Sequence, residues 1–290
     1  VGDVDDFGQA ARPAAATVPV ASRPVLVLLP PSEGKAPGGD GPAVGRRPVL
    51  STPDLARSRS DLLDALRRAA RADPAALARG LRLPAGVAAA ALAADARART
   101  APTMPALDRY TGVVYQALDV ASLTPAARRR AEDLVLVSSG LWGVVRGGDL
   151  VPDYRVPASG TVPGLGGVTA HWRAPLAAAM PAVVGDHAVL DLRSTDYLGM
   201  WRPTGELPER VVAVRVLAQR GAGARRTTSV VSFHAKTVKG LVVRHLVTSR
   251  RRHTDPMAAL CDAADALDLR VELPSPGRFP QVVDLVGRYP

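Results

Sequence analysis

The stretch VLVLLPPSEGK, residues 25–35, decides how the rest of the chain is read. Val25–Leu29 is an unbroken apolar run, the pattern of a strand buried on both faces. Pro30-Pro31 stops it, because proline cannot donate to a sheet ladder. A strand, a turn and then Gly34-Lys35 invite comparison with a phosphate-binding loop, G-x-x-x-x-G-K-[ST]. The match fails. Leu29, not Gly, stands five residues before Gly34, and Ala36, not Ser or Thr, follows Lys35. The prolines also remove two N–H donors from a segment that would have to cradle phosphate. What remains is a buried strand that delivers Ser32, Glu33 and Lys35 to its carboxyl end.

Outward from that strand, strands alternate with helices, which predicts an α/β class with α+β as the alternative. Residues 36–50 read as a loop. Thr52-Pro53-Asp54 has the form of a helix start, and Leu55, Leu62, Leu63 and Leu66 mark one face of the helix that follows. Ala-rich helices continue over 74–80 and 85–98. ALDRYTGVVYQALD, 106–119, predicts a turn and a short helix, and Thr124-Pro125 opens another helix. Leu134–Val137 reads as a strand, and Gly140–Arg146 as a turn into a short helical segment. Strands are expected at 188–192, 211–217 and 227–233, then a helix from about 235 to 250 and a last one opened by Asp255-Pro256. One domain over 24–290 follows, with 1–23, rich in Ala, Pro and Asp and without periodicity, as a disordered extension.

Of 290 residues, 47% are hydrophobic, enough for a sizeable core. No 18-residue apolar run marks a membrane span, and the acidic start lacks a signal-peptide core, so a cytoplasmic protein without a membrane partner is expected. Cys261 is the only cysteine, so no internal disulfide forms, which fits a reducing compartment. It is read as a core residue of the last helix. The net charge of +10 favours anionic partners. Lysine accounts for only three of the 37 basic residues, Lys35, Lys236 and Lys239. In a chain that otherwise uses arginine, those positions are either chance or places where a compact ammonium matters.

The helix near 235–250 places Val238, Leu241, Val242, His245 and Leu246 on one side, and Lys236, Lys239, Arg244 and Arg250 around the other. His245 is read as a core histidine. A basic helix face that begins where a strand ends is either an anion site or an ordinary solvated face. In SSGLWGVVRGGDLVPDYRV, 138–156, Ser138, Ser139 and Gly140 either meet phosphate or cap a helix. Arg155 offers a bidentate contact to phosphate or carboxylate, and Trp142 is either part of that site or core. Tyr110, Thr111 and Tyr115 either stack on bases or simply pack. DLRSTDYLGMW, 191–201, puts Asp191, Ser194, Asp196 and Tyr197 at a strand's carboxyl end, where α/β proteins place sites. No zinc spacing, G-x-S-x-G elbow or dinucleotide fingerprint occurs, so no metal and no cofactor is expected.

As a set and in this order, PPSEGK, YTGVVY, SSGLWGVVRGGDLVPDYRV, DLRSTDY and SFHAKTVKGLVVR resemble the YaaA family of bacterial peroxide-stress proteins. The resemblance covers about residues 24–250. The chain departs from the family in reading RGGDL where many members have Arg-Pro before Asp-Leu, matches poorly over 251–290, and carries residues 1–23 as an addition. The resemblance implies an α/β domain of unusual topology with a positively charged cleft, protection from hydrogen peroxide with lowered free iron and less oxidative DNA damage, and DNA binding associated with a helix-hairpin-helix-like element. The turn around Ser139–Arg146 is the candidate for that element. All three lysines fall in the matched motifs.

Two functions follow. The first is a DNA-binding stress protein that contacts duplex phosphates, with Arg146, Arg155, Lys239 and Arg244 among the contacts. The second is an enzyme acting on a nucleoside, nucleotide or other small anion, with Lys35, Glu33 and Lys236 as catalytic groups. In either case Ser32, Tyr110, Thr111, Tyr115, Ser139, Gly140, Arg146, Arg155, Ser194, Tyr197, Lys239 and Arg244 are the candidate substrate- or DNA-binding residues. Convergence of Glu33, Lys35 and Lys236 on one deep pocket favours the second. Basic residues spread along an open groove favour the first.

Overall fold

The computed structural model describes residues 23–45, 50–220, 227–273 and 281–288. The extension expected over 1–23 therefore lies outside the described residues except for Arg23, which begins the first strand.

Along the chain run β1 (Arg23–Leu29), α1 (Ala56–Ala72), α2 (Pro74–Gly80), α3 (Ala85–Arg97), α4 (Ala106–Arg109), α5 (Val113–Leu118) and α6 (Pro125–Leu134). They are followed by β2 (Val135–Ser139), β3 (Gly143–Arg146), α7 (Val168–Val184), β4 (His187–Asp191), α8 (Thr195–Leu198) and β5 (Val211–Arg220). The chain continues with β6 (Thr227–Ser229), α9 (Ser232–Thr248), α10 (Pro256–Ala266), β7 (Arg270–Glu272) and β8 (Gln281–Arg288). Several helix starts are capped as their sequences predict. Asp73 accepts from Ala76 N at 2.9 Å, Thr124 from Ala127 N at 3.3 Å, and Asp255 from Ala258 N at 2.7 Å. Thr52 does not cap. Its hydroxyl donates to Val144 O and is engaged by the buried Arg59 guanidinium, which pins the start of α1 to β3.

The mixed α/β sheet has the strand order β7-β8-β5-β4-β1-β2-β3, with β6 paired to β5. β1 is parallel to both β2 and β4, β4 to β5, and β5 to β8. β2–β3, β5–β6 and β7–β8 are antiparallel. The apolar run of β1 is buried on both faces, with Leu26 and Leu29 fully so, because helices cover the sheet front and back. From β1 the chain crosses to β2 on one side; from β4 it crosses to β5 on the other. The carboxyl ends of β1 and β4 are thus neighbours whose connections diverge, which opens a crevice at the sheet edge.

Five local readings are corrected. Gly140–Arg146 is not helical. Ser139 pairs with Gly143 and Leu136 with Arg146 in an antiparallel hairpin, so the segment proposed for a helix-hairpin-helix-like element is a β-hairpin. The strand expected over 227–233 ends at Ser229, and Phe233 already lies in the first turn of α9. β7 and β8 were not expected from the sequence. Cys261 is exposed rather than core. His245 is half-buried, with Nε2 2.8 Å from Asp262 Oδ2, so its ring faces a carboxylate instead of an apolar core.

Candidate functional site

A cavity of about 940 Å³ fills the crevice. Its walls come from the turn after β1 (Pro30–Lys35), the segment after β4 (Asp191, Arg193–Leu198), the middle of β5, and α9. The start of α5, residues 81–84 and residues 154–159 close the remaining sides. The volume is in the range of small-molecule and cofactor sites.

The turn after β1 is held from several directions. The Ser32 hydroxyl donates to Gly34 O and accepts from Thr111 N at 3.1 Å. Tyr115 donates to Pro30 O at 2.7 Å. Buried Arg109 donates to Ala36 O and Gly38 O, so the chain leaving Lys35 is clamped to α4. Gly112 is needed here, because a Cβ would stand 2.6 Å from Ser32 Cβ.

This turn directs Lys35 into the cleft. Its Nζ lies 3.0 Å from Ser32 O and 3.4 Å from Glu33 O, and over the rings of Tyr154 (4.2 Å to the centroid) and Tyr110 (5.6 Å). Among the described residues no carboxylate stands within salt-bridge distance of it. Glu33 is drawn off to Arg155, 2.6 Å away. Burial pushes the Lys35 amine down to about 8, against the opposing charges of Asp153 and Asp95. Asp95, from α3, is 4% exposed. One of its oxygens accepts from Arg155 N at 2.7 Å, and the other has no partner. Burial pushes that carboxyl up to about 7. The sequence analysis missed Asp95, which sits in an Ala-rich helix with no motif around it.

Opposite, α9 brings Lys236 and Lys239 to the same cavity. Lys239 donates to Arg193 O at 3.1 Å, and burial lowers its amine to about 8, against the field of Asp191 and together with that of Lys236. Arg193 itself is locked in a buried bidentate pair with Asp191, at 3.0 and 2.7 Å, and donates to Tyr197 O and Trp201 O at 3.0 Å each. That arrangement fixes the segment bearing Ser194 and Tyr197. Gly240 lets α9 approach α5, since a Cβ there would lie 2.2 Å from Val114 O.

The cavity therefore gathers Ser32, Glu33, Lys35, Tyr115, Arg155, Ser194, Tyr197, Lys236 and Lys239 from five segments distant in sequence. Other expected residues lie elsewhere. Tyr110 is 2% exposed and stands behind Lys35, with its hydroxyl 2.7 Å from that of Tyr154, so it packs and presents no face to a base. Tyr115 does line the cavity, but it is 4% exposed and its hydroxyl is spent on Pro30 O. Thr111 supports the turn through its backbone. Ser139 is fully buried, 2.6 Å from the Tyr154 hydroxyl, and Gly140 packs against Val156 O; neither meets solvent phosphate. Arg146 donates to Asp133 O, and Arg244 caps α5 through Leu118 O and Asp119 O, so both cations point away from the cavity. Trp142 is core.

A mixed sheet with a lysine-bearing crevice at its switch point is an α/β architecture of the kind in which ligand sites lie at the carboxyl ends of the strands. A family model described as peroxide stress protein YaaA matches residues 25–266, and the chain belongs to that family. Among similar proteins, a UPF0246 protein of Streptomyces coelicolor is 42% identical over 254 residues, covering 88% of this chain and 94% of the relative. A UPF0246 protein of Corynebacterium efficiens is 38% identical over 257 residues, covering 86% and 95%.

Proposed function

We propose that this member of the peroxide stress protein YaaA family binds a nucleotide-like small anion in the cleft and transfers protons on it. Lys35 is the central group, with Glu33 beside it, and Lys236 and Lys239 hold the negative charge. The observation that carries this is the convergence of all three lysines of the chain on one cavity, while three of its four lining arginines, Arg155, Arg193 and Arg215, each already hold a carboxylate. A half-buried lysine without a carboxylate at salt-bridge distance is poised to exchange a proton near neutral pH. Isothermal titration with AMP tests the proposal. Saturable binding that is lost in Lys236→Ala/Lys239→Ala supports it; no heat from AMP or inorganic phosphate at low salt sinks it.

A second function, duplex DNA binding through phosphate, draws support from the net charge of +10 and from the exposed run Arg250-Arg251-Arg252. In that case protection against peroxide would come from shielding DNA from oxidative damage, alongside lowered free iron. Neutralising about 4–6 phosphates predicts a log–log salt slope near −4 to −5 for a fluorescent 20-base-pair duplex. A flat salt dependence excludes it.

A further inference from the structure

Lys35 and the α9 lysines do not occupy equivalent positions. Lys236 and Lys239 are one helical turn apart and act on each other electrostatically, so they form a pair suited to one anionic group. Lys35 comes from a different segment. Its nitrogen is braced by two backbone carbonyls and by the faces of Tyr154 and Tyr110, and it is part of the cavity wall. Carbonyl and ring contacts position the amine without the fixed carboxylate that would hold it permanently as an ammonium. Glu33, two residues away in the chain, is committed to Arg155, and Asp153 and Asp95 act on the amine only through their fields.

We infer that Lys35 is a covalent nucleophile for an aldehyde or ketone that carries an anionic group, with Lys236 and Lys239 binding the anion and Lys35 forming an imine with the carbonyl. The inference rests on the cleft reading proposed above and specifies the substrate class. Buried amines are the lysines that form Schiff bases, because the neutral form is the one that attacks. The lowering of Lys35 to about 8 by burial accords with that requirement.

The step balances without any oxidant or reductant. The neutral Lys35 nitrogen attacks the carbonyl carbon with its lone pair, and the C=O π pair moves to oxygen. The first of the two nitrogen protons passes through solvent to that oxygen, giving the carbinolamine. The carbinolamine hydroxyl then leaves as water with a proton taken from solvent, to which the cleft is open, as the nitrogen lone pair forms the C=N bond, and the protonated imine returns its second nitrogen proton to solvent. One carbonyl and one amine give one imine and one water.

The chain's composition makes the test simple, because only three side-chain amines exist. The full chain is incubated with pyridoxal 5′-phosphate, which carries both an aldehyde and a phosphate, then reduced with borohydride and mapped by peptide mass. The expected result is saturable labelling at Lys35, suppressed by inorganic phosphate and by Lys236→Ala/Lys239→Ala, with benzaldehyde labelling the same site far less. Labelling confined to Lys236 or Lys239, or equal labelling of all three, overturns the inference. If phosphate binds in a titration but Lys35 stays unlabelled, the imine fails and the anion cleft stands. If neither phosphate nor pyridoxal phosphate binds, both fail.

Discussion

Lys35 Nζ lies 4.2 Å from the centroid of the Tyr154 ring, whose hydroxyl is itself bonded to both Tyr110 and Ser139. One side chain thus supports the cleft amine with its face and the core with its oxygen. Tyr154→Phe leaves two buried hydroxyls short of a partner and should cost about 1–3 kcal/mol in chemical denaturation. Tyr154→Leu should also remove the ring face that favours the ammonium, lowering the Lys35 pKa further. A pH titration of the lysine Nζ resonances separates the two effects. Equal Lys35 pKa values in the two variants would show that the ring face is not felt.

Asp95 makes stability depend on pH in an unusual direction. Its folded pKa, about 7, stands above the ordinary value of 3.8. Its contribution is therefore fully present below about pH 4 and is lost as pH rises towards 7. Asp95→Asn removes that loss and keeps an acceptor for Arg155 N. The variant's Tm relative to wild type should rise between pH 4 and 8, by an amount reflecting a few kcal/mol. A difference independent of pH would mean that the carboxyl ionises normally in the folded state.

Gly240 sets the distance between α9 and α5. Gly240→Ala places a methyl group against Val114 O, which is backbone and cannot swing aside. The helices must separate, at a cost of about 1–3 kcal/mol, and Lys236 and Lys239 should move with α9. Lower Tm together with weaker AMP binding is expected. An unchanged Tm would contradict the close packing.

Arg193→Met leaves the Asp191 carboxylate buried without its partner and frees the segment that carries Ser194 and Tyr197. Breaking such a pair from one side costs about 3–5 kcal/mol. Denaturant unfolding should show it, whereas Glu33→Gln, which breaks a pair whose Glu33 side chain is 84% exposed, should leave the midpoint nearly unchanged.

The sequence made the scaffold of the site legible because its signals are local. The apolar run before Pro30-Pro31 could only be a buried strand, the capped starts of α6 and α10 are written in three residues each, and rare lysines stand out in an arginine-rich chain. Features set by distant partners were hidden. Gly140–Arg146 turns back as a hairpin because its apolar residues pair with β2, which no local pattern announces. β7 and β8 exist through pairing with each other and with β5. Arg146 and Arg244 looked like contacts to an anion, yet each is consumed by carbonyls at an element end. Asp95 carries no motif; only its bond to Arg155 N and its place in the field of Lys35 give it meaning.

The most direct measurement uses lysine labelled with nitrogen-15, which gives a side-chain spectrum of only three residues. AMP is titrated into the full chain and the three Nζ environments are followed together. Shifts of Lys35, Lys236 and Lys239 that saturate with one common Kd are predicted, because the three amines share one cavity. A response confined to the exposed Lys236, or no response at any concentration at low salt, would contradict a common anion site.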